Sequence, residues 1–244
     1  MTETTVQQPA TTTREQIWLN WEQVRKEKPV YRALKRVQDV FFSLLALIVL
    51  LPLMLIVALA IVIDDPKGSP IFTQVRSGID GKEFRIHKFR SMCVDAEAKL
   101  ADLKRSTEMN GPIFKQKDDP RITRVGRFIR KCGIDELPQL INVLKSDMSI
   151  VGPRPEMLEN VEKYTDDLPE FRYRLRAKAG LTGLAQIYGK YNTSPRDKLI
   201  MDLAYIQQYS VWLDLKLILR TALVLLTPEE STEAFEDKKT EEKP

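Results

Sequence analysis

From Val40 to Ile63 the chain runs for 24 residues without a charge. As an α-helix that run rises about 36 Å, enough for a hydrocarbon core of about 30 Å. Upstream, Ile17, Trp18, Trp21 and Val24 recur at roughly helical spacing, then Tyr31, Leu34 and Val37 lead into the apolar run. That pattern predicts an interfacial helix with tryptophans at headgroup level. Ser69 to Phe89 predicts short strands around a turn at Gly78-Ile79-Asp80-Gly81. Met92 to Arg105 predicts a charged helix. Ile122 to Lys131 predicts another, with Ile122, Val125 and Ile129 on one side and Arg121, Arg124, Arg127 and Arg130 at every third position on another. Such a stripe is either a solvated face or one that rests on lipid phosphates. Leu137, Leu140, Ile141 and Leu144 follow the i, i+3, i+4, i+7 pattern, which starts a helix near Asp135. Glu156 to Leu175 and Pro195 to Gln208 predict further helices. Trp212 to Leu226, broken by Asp214, Lys216 and Arg220, is too short for a span and predicts an interfacial helix. The expected fold is α/β and mainly helical.

Composition narrows the class. The formal net charge of +4 does not indicate nucleic acid. Its distribution says more: Arg25, Lys26, Lys28, Arg32, Lys35 and Arg36 crowd before the apolar run, a collar suited to anionic headgroups. Cys93 and Cys132 show neither metal-ligand spacing nor a secreted disulfide framework, so a reducing cytosol is the default expectation. The single histidine, His87, stands in a predicted strand, so a histidine-based triad or zinc site is not expected. There is no Walker loop and no Rossmann glycine pattern.

The apolar run is too long and starts too far into the chain for a signal peptide. It admits two readings, a single span or a re-entrant helix. The six basic residues upstream favour a cytosolic N-terminus, and a simple span would then place the following domain outside. Pro52, near the middle of the run, removes one helix hydrogen bond and favours a bend.

Candidate chemistry sits downstream. Ile134-Asp135-Glu136-Leu137-Pro138-Gln139 is followed by Asn142, Asp147 and Gly152-Pro153-Arg154-Pro155. Asp135 before a helix is either an N-cap or a reactive carboxylate near a phosphate held by helix N–H groups. Arg154 between two prolines suits a fork-shaped phosphate clamp, or else a rigid turn with a surface arginine.

Taken in order, these motifs resemble the monotopic phosphoglycosyl transferases of the bacterial sugar transferase family, from about Tyr31 to about Leu226. Lys35-Arg36 and Asp39 match the family's entry to the membrane helix, with Pro52 at its bend. Gln74-Val75-Arg76-Ser77-Gly78, Lys88-Phe89-Arg90-Ser91-Met92 and Asp119-Pro120-Arg121-Ile122-Thr123 match segments before the acidic dyad. Asp147, Arg154, the glycine-rich turn Gly180-Leu181-Thr182-Gly183, Asp202 and Tyr205 match segments after it. Ala179 stands where proline is common in the family, Tyr188-Gly189-Lys190 where a Gly-Arg pair is common, and Leu51-Pro52 where Ser-Pro is frequent.

The resemblance implies transfer of a sugar 1-phosphate from a nucleotide sugar, with UDP the expected nucleotide, to a polyprenyl (undecaprenyl) phosphate. It implies Asp135 as nucleophile and magnesium ligand, Glu136 as its partner, and Arg76, Lys88, Arg90, Arg121, Asp147 and Arg154 as phosphate- or substrate-binding residues. It implies Mg2+ as cofactor, and the bilayer, the polyprenyl phosphate and the nucleotide sugar as partners, with room for a homo-oligomer or downstream glycosyltransferases. The expected place is the cytosolic face of the inner membrane, at the first membrane step of a capsule, exopolysaccharide or O-antigen type glycan. The expected organisation is a disordered segment 1–14, an interfacial segment 15–39, a re-entrant helix 40–63, a catalytic domain 64–228 and a disordered charged tail 229–244. Two rivals stay open: a glycosyltransferase moving only the sugar, although Asp64-Asp65, Asp118-Asp119 and Asp166-Asp167 lack Asp-x-Asp spacing, and a non-catalytic membrane adaptor.

Overall fold

The computed structural model describes residues 29–96, 98–99, 119–189 and 193–226. The expected N-terminal segment, the Ile17–Val24 pattern, most of the Met92–Arg105 helix, Lys190 and the charged tail lie outside the described residues.

Helix α1 (Pro29–Asp64) is longer than the apolar run, and its helical assignment continues through Pro52. It is long and apolar enough to cross a membrane, with only 17% of its most apolar window buried. Its exposed residues include Phe41, Leu45, Ile48, Val49, Leu55, Ile56, Leu59 and Ile63. An antiparallel hairpin follows, β1 (Ile71–Ser77) with β2 (Glu83–Phe89), turning at Gly78–Gly81 as its sequence predicts. Then come α2 (Arg124–Lys131), a 3-10 turn at Ile134–Glu136, and α3 (Gln139–Leu144). Strand β3 (Ser149–Val151) precedes α4 (Leu158–Asp167) and a 3-10 segment at Pro169–Arg176. Strand β4 (Gly180–Thr182) pairs in parallel with β3. Helices α5 (Leu184–Tyr188), α6 (Pro195–Gln208) and α7 (Val211–Leu226) complete the described fold.

Three elements differ from the sequence reading. The helix expected over Glu156–Leu175 breaks at Leu168, because Pro169 cannot continue it. Gly180-Leu181-Thr182 is a strand rather than a turn. A Cβ on Gly180 would collide with the backbone of Gly152, and one on Gly152 with the carbonyl of Lys178. The glycines here permit close strand approach. The helix expected from Asp135 begins at Gln139; the dyad occupies the 3-10 turn after Gly133, whose φ of 67° is a left-handed value suited to glycine.

The main core joins Val143, Met148, Ile150 and Val151 to Phe171, Leu199, Leu203, Ile206 and Leu217. A second cluster joins Val57 and Ile61 of α1 to Phe89 and Ile129. Both ends of α1 therefore meet the same body of the protein. At the N-terminal end Lys35 pairs with Asp214 at 2.8 Å and donates to Tyr205, while Arg36 donates to the carbonyls of Val143 and Leu144 at 2.7 Å each, closing the C-terminal end of α3. Asp39, buried, accepts from Ser149 Oγ and Ile150 N at the start of β3. At the other end Asp64 accepts from Val125 N at the start of α2. The residues expected at the membrane entry are thus also the residues that dock α1.

Candidate active site

Cross-strand register sets the first cations. Arg76 lies opposite Phe84, Gln74 opposite Ile86 and Phe72 opposite Lys88, so these six side chains share one face of the hairpin. The hairpin is tied to α3 by Asn142, fully buried, which accepts from His87 N and donates to the Arg85 carbonyl at 2.7 Å. Asp147 accepts from the same Asn142 amide. The His87 main chain and the Asp147 side chain are accounted for by this brace.

Arg154 is set by its neighbours' backbone. Four consecutive carbonyls are taken by donors from two stretches of the chain, the end of β1 and the segment from Arg174 to Gly180. Pro153 O accepts from Gly180 N at 2.8 Å, Arg154 O from Arg174 Nη2 at 2.8 Å, Pro155 O from Arg76 Nη1 at 3.3 Å and Glu156 O from Ser77 N at 3.0 Å. Arg174 is itself buried and gripped by Asp202 Oδ2 at 2.7 and 3.0 Å. Nothing in the sequence singled out Arg174, which stands in the alternating run Arg172, Arg174, Arg176; Asp202 was visible only through its motif.

These elements converge on the dyad. Glu136 accepts from Lys88 Nζ at 3.1 Å and from both terminal nitrogens of Arg154, at 2.5 and 3.3 Å. Burial alone would raise its pKa, but the two cations outweigh burial and hold it down at about 2. Asp135 is the opposite case. It is partly buried, and its carboxylate makes no hydrogen bond to another described residue. Burial first, and the Glu136 charge second, push its pKa up, with Lys88, Arg130 and Arg154 pulling the other way. No side-chain cap is formed at this turn, so the N-cap reading of Asp135 is not what the geometry contains. Two adjacent carboxylates are driven in opposite directions, one fixed by cations and one left open, a pattern typical of sites that divide roles between acidic groups.

Beside the dyad a cleft is lined by Arg76, Ile86, Lys88, Gln139, Arg154, Pro155 and Glu156. Of the expected phosphate ligands, Arg76, Lys88 and Arg154 come together there. Three others do not line it. Arg90 is buried and binds Asp65 and the Gly68 carbonyl, bracing the exit of α1. Arg121 is buried against Asp119 through a forked pair. Asp147 braces Asn142, as above.

Among the described residues no group of three metal-ligating side chains is present. Magnesium, however, characteristically uses one or two carboxylates and completes its shell with water and substrate phosphates. The open carboxylate of Asp135 beside a cationic cleft fits that type of site; Glu136, occupied by two cations, does not offer a second ligand.

The chain is also similar to known proteins. The chain is 49% identical over 160 residues to the galactosyl transferase CpsE of Streptococcus agalactiae, covering 65% of this chain and 35% of that protein. It is 39% identical over 202 residues to the UDP-N-acetylgalactosamine-undecaprenyl-phosphate N-acetylgalactosaminephosphotransferase of Aeromonas hydrophila, covering 82% and 45%. It is 42% identical over 199 residues to the UDP-glucose:undecaprenyl-phosphate glucose-1-phosphate transferase of Caulobacter vibrioides, covering 79% and 70%. The chain therefore spans less than half the length of the first two relatives. The bacterial sugar transferase family profile matches residues 30–228, which contain all but the first residue of α1, the cleft and the dyad, and the chain belongs to that family.

Proposed function

We propose that this chain moves a sugar 1-phosphate from a UDP-sugar to a polyprenyl phosphate, as the names of its relatives describe for undecaprenyl phosphate. The observation that carries the reading is the divided dyad: Asp135 open, Glu136 held ionised by Lys88 and Arg154, and Arg76 lining the same cleft.

The chemistry balances without a general base. An oxygen of the Asp135 carboxylate attacks the sugar-bearing phosphorus of the donor. The P–O bond to the nucleoside monophosphate breaks, and the monophosphate leaves with the electron pair. The resulting acyl phosphate carries the sugar. An oxygen of the polyprenyl phosphate then attacks the same phosphorus, the Asp135 carboxylate leaves, and a polyprenyl diphosphate sugar forms. Burial favours this role, because a poorly solvated carboxylate is a stronger nucleophile than one in water. Lys88, Arg76 and Arg154 offset the repulsion between carboxylate and diphosphate. Glu136, with a pKa of about 2, is a poor proton acceptor at neutral pH. Its role is to hold Lys88 and Arg154 at the cleft. Magnesium, held by Asp135 and the substrate phosphates, would supply further charge neutralisation.

We place α1 in the bilayer as a re-entrant helix, with the rest of the chain on the cytosolic face of the inner membrane. The support is that Lys35 and Asp39 near its start, and Val57, Ile61 and Asp64 near its end, pack on one body. A straight crossing separates such groups by about 30 Å of hydrocarbon, whereas a helix that returns to one face keeps them together. The reaction would open assembly of a cell-surface glycan. Because the relatives' names carry glucose, galactose and N-acetylgalactosamine, no single sugar follows for this chain.

The test is a panel of UDP-sugars with undecaprenyl phosphate, scored for UMP release and a lipid-linked product. The reading predicts UMP, stopped by chelator and restored by magnesium. Release of UDP instead would mean transfer of the sugar alone, and no release with any donor would leave an adaptor.

A further inference from the structure

Among the described residues, two buried donors of the cleft have nothing to donate to. Gln139 is 2% exposed and lines the cleft, yet its Nε2 has no hydrogen-bond partner. Arg76 commits Nη1 to the Pro155 carbonyl and Nη2 to Gln74 Oε1, but its Nε is buried and unpartnered. A buried donor left unpaired costs folding free energy, and burial already lowers the pKa of Arg76. Such costs are tolerated where a ligand repays them.

The surroundings limit the ligand. Lys88 and Arg154 line the same cleft and already share one carboxylate, Glu136, between them. Glu156 faces Arg174 at 3.8 Å. Apart from Glu156, the charged side chains of the cleft and its unpaired polar atoms are donors, a set that an oxygen-rich anion satisfies. A carbonyl offers one oxygen; a phosphoryl group offers three, with charge.

We infer that Gln139 Nε2 and Arg76 Nε form a donor pair for a phosphoryl oxygen of the substrate, which makes Gln139 a substrate-binding residue beside the dyad. Gln139 is the first residue of α3, three positions after Glu136, and α3 is closed at its other end by Arg36 of α1. Its amide is therefore held by the same framework as the dyad. A phosphoryl group reaches this chain from two sources, the diphosphate of the nucleotide sugar and the monophosphate of the lipid acceptor. The inference rests on the phosphoglycosyl transfer proposed above.

The test uses the full chain in detergent, with calorimetric binding of UDP and, separately, of farnesyl phosphate as a short acceptor mimic. Gln139→Met keeps the volume and removes the donor. Gln139→Glu keeps the shape and turns the donor into an anion. Arg76→Lys keeps the charge and removes Nε, and as a less buried position it serves if the Gln139 variants do not fold. We expect at least a tenfold weaker Kd for the ligand that the pair binds in Gln139→Met and in Arg76→Lys. Gln139→Glu should be weaker still and partly recover as pH falls and the introduced carboxylate is protonated. Loss confined to UDP assigns the pair to the donor diphosphate; loss confined to farnesyl phosphate assigns it to the acceptor. Binding of both ligands within twofold of wild type in the folded variants overturns the inference, as does failure of wild type to bind either. UMP release by wild type is scored separately, so its absence counts against the transfer reaction and not against the donor pair.

Discussion

Arg154 grips Glu136 with both terminal nitrogens, at 2.5 and 3.3 Å, across 18 residues of sequence. With Lys88 on the other side, this is what separates the two carboxylates of the dyad: Glu136 is held by cations and Asp135 is not. A planar fork is required for that grip. Arg154→Lys should therefore lower kcat/KM at least tenfold, on the order of 1.4 kcal/mol of transition-state stabilisation, although charge is kept. Steady-state UMP release checks it; unchanged kcat/KM would show that Arg154 only anchors its turn.

The held carboxylate has a signature in acid. The pKa of Glu136 falls from 4.5 in the unfolded chain to about 2 in the fold. Its contribution is present above pH 4.5 and is lost as pH falls through 2. The difference corresponds to about 3 kcal/mol. Urea unfolding of wild type and Glu136→Gln should show a large gap at pH 7 that narrows steadily below pH 4.5. A gap that does not change with pH would mean the pairs contribute by packing alone.

Asp135 carries the opposite sign. Its pKa is raised above 3.8 by burial and by Glu136. The folded state then keeps its proton longer than the unfolded chain, and above that window the ionised carboxylate costs folding free energy. Asp135→Asn should consequently raise Tm at pH 7, and the advantage should vanish below pH 3.8. Loss of stability in this variant at neutral pH would indicate a structural role for the carboxylate.

Arg174 and Asp202 are buried at 5% and 2% exposure, and Arg174 also holds the Arg154 carbonyl. Removing one partner of a buried pair costs about 3–5 kcal/mol, and in Asp202→Asn only Glu156, at 3.8 Å, is left to face Arg174. Asp202→Asn should lower Tm by several degrees and also reduce UMP release measured well below the new Tm, because the Arg154 main chain loses a support. A fall in Tm with full activity would confine the pair to stability.

Much of this was legible in the sequence. The β1–β2 hairpin, α2, α6 and α7 follow from apolar spacing and turn residues, because their signals are local. Arg76, Lys88, Arg154 and the dyad were named from their motifs, and the fold brings them together. What stayed hidden is long-range. Strands β3 and β4 are three residues each, pair across 31 positions (Ser149 with Gly180), and leave no periodic trace. The embrace of the Pro153–Glu156 carbonyls is made by groups from two distant stretches, Arg76-Ser77 and Arg174 to Gly180. Arg90 and Arg121 resemble Arg76 in sequence but are consumed by Asp65 and Asp119, and only three-dimensional proximity separates a bound arginine from one that faces a cleft.

The membrane geometry has its own check. In a background with Cys93 and Cys132 replaced by serine, Arg32→Cys and Lys67→Cys lie at exposed positions on either side of the apolar run of α1. A re-entrant helix places both on the cytosolic side, so an impermeant thiol reagent should label neither in intact cells and both after permeabilisation. Labelling of one alone in intact cells would make α1 a simple span. Pro52→Ala, which restores a helix hydrogen bond, should shift the population toward that pattern.

The central claim is that Asp135 carries the sugar phosphate. Wild type and Asp135→Asn are incubated with an accepted UDP-sugar in the absence of lipid acceptor, and intact mass is measured, followed by peptide mapping. The account predicts a sugar-phosphate adduct on wild type, mapped to Asp135 and discharged by adding undecaprenyl phosphate, with none on Asp135→Asn. An Asp135→Asn enzyme that turns over at the wild-type rate, or an adduct mapped to another residue, would contradict it.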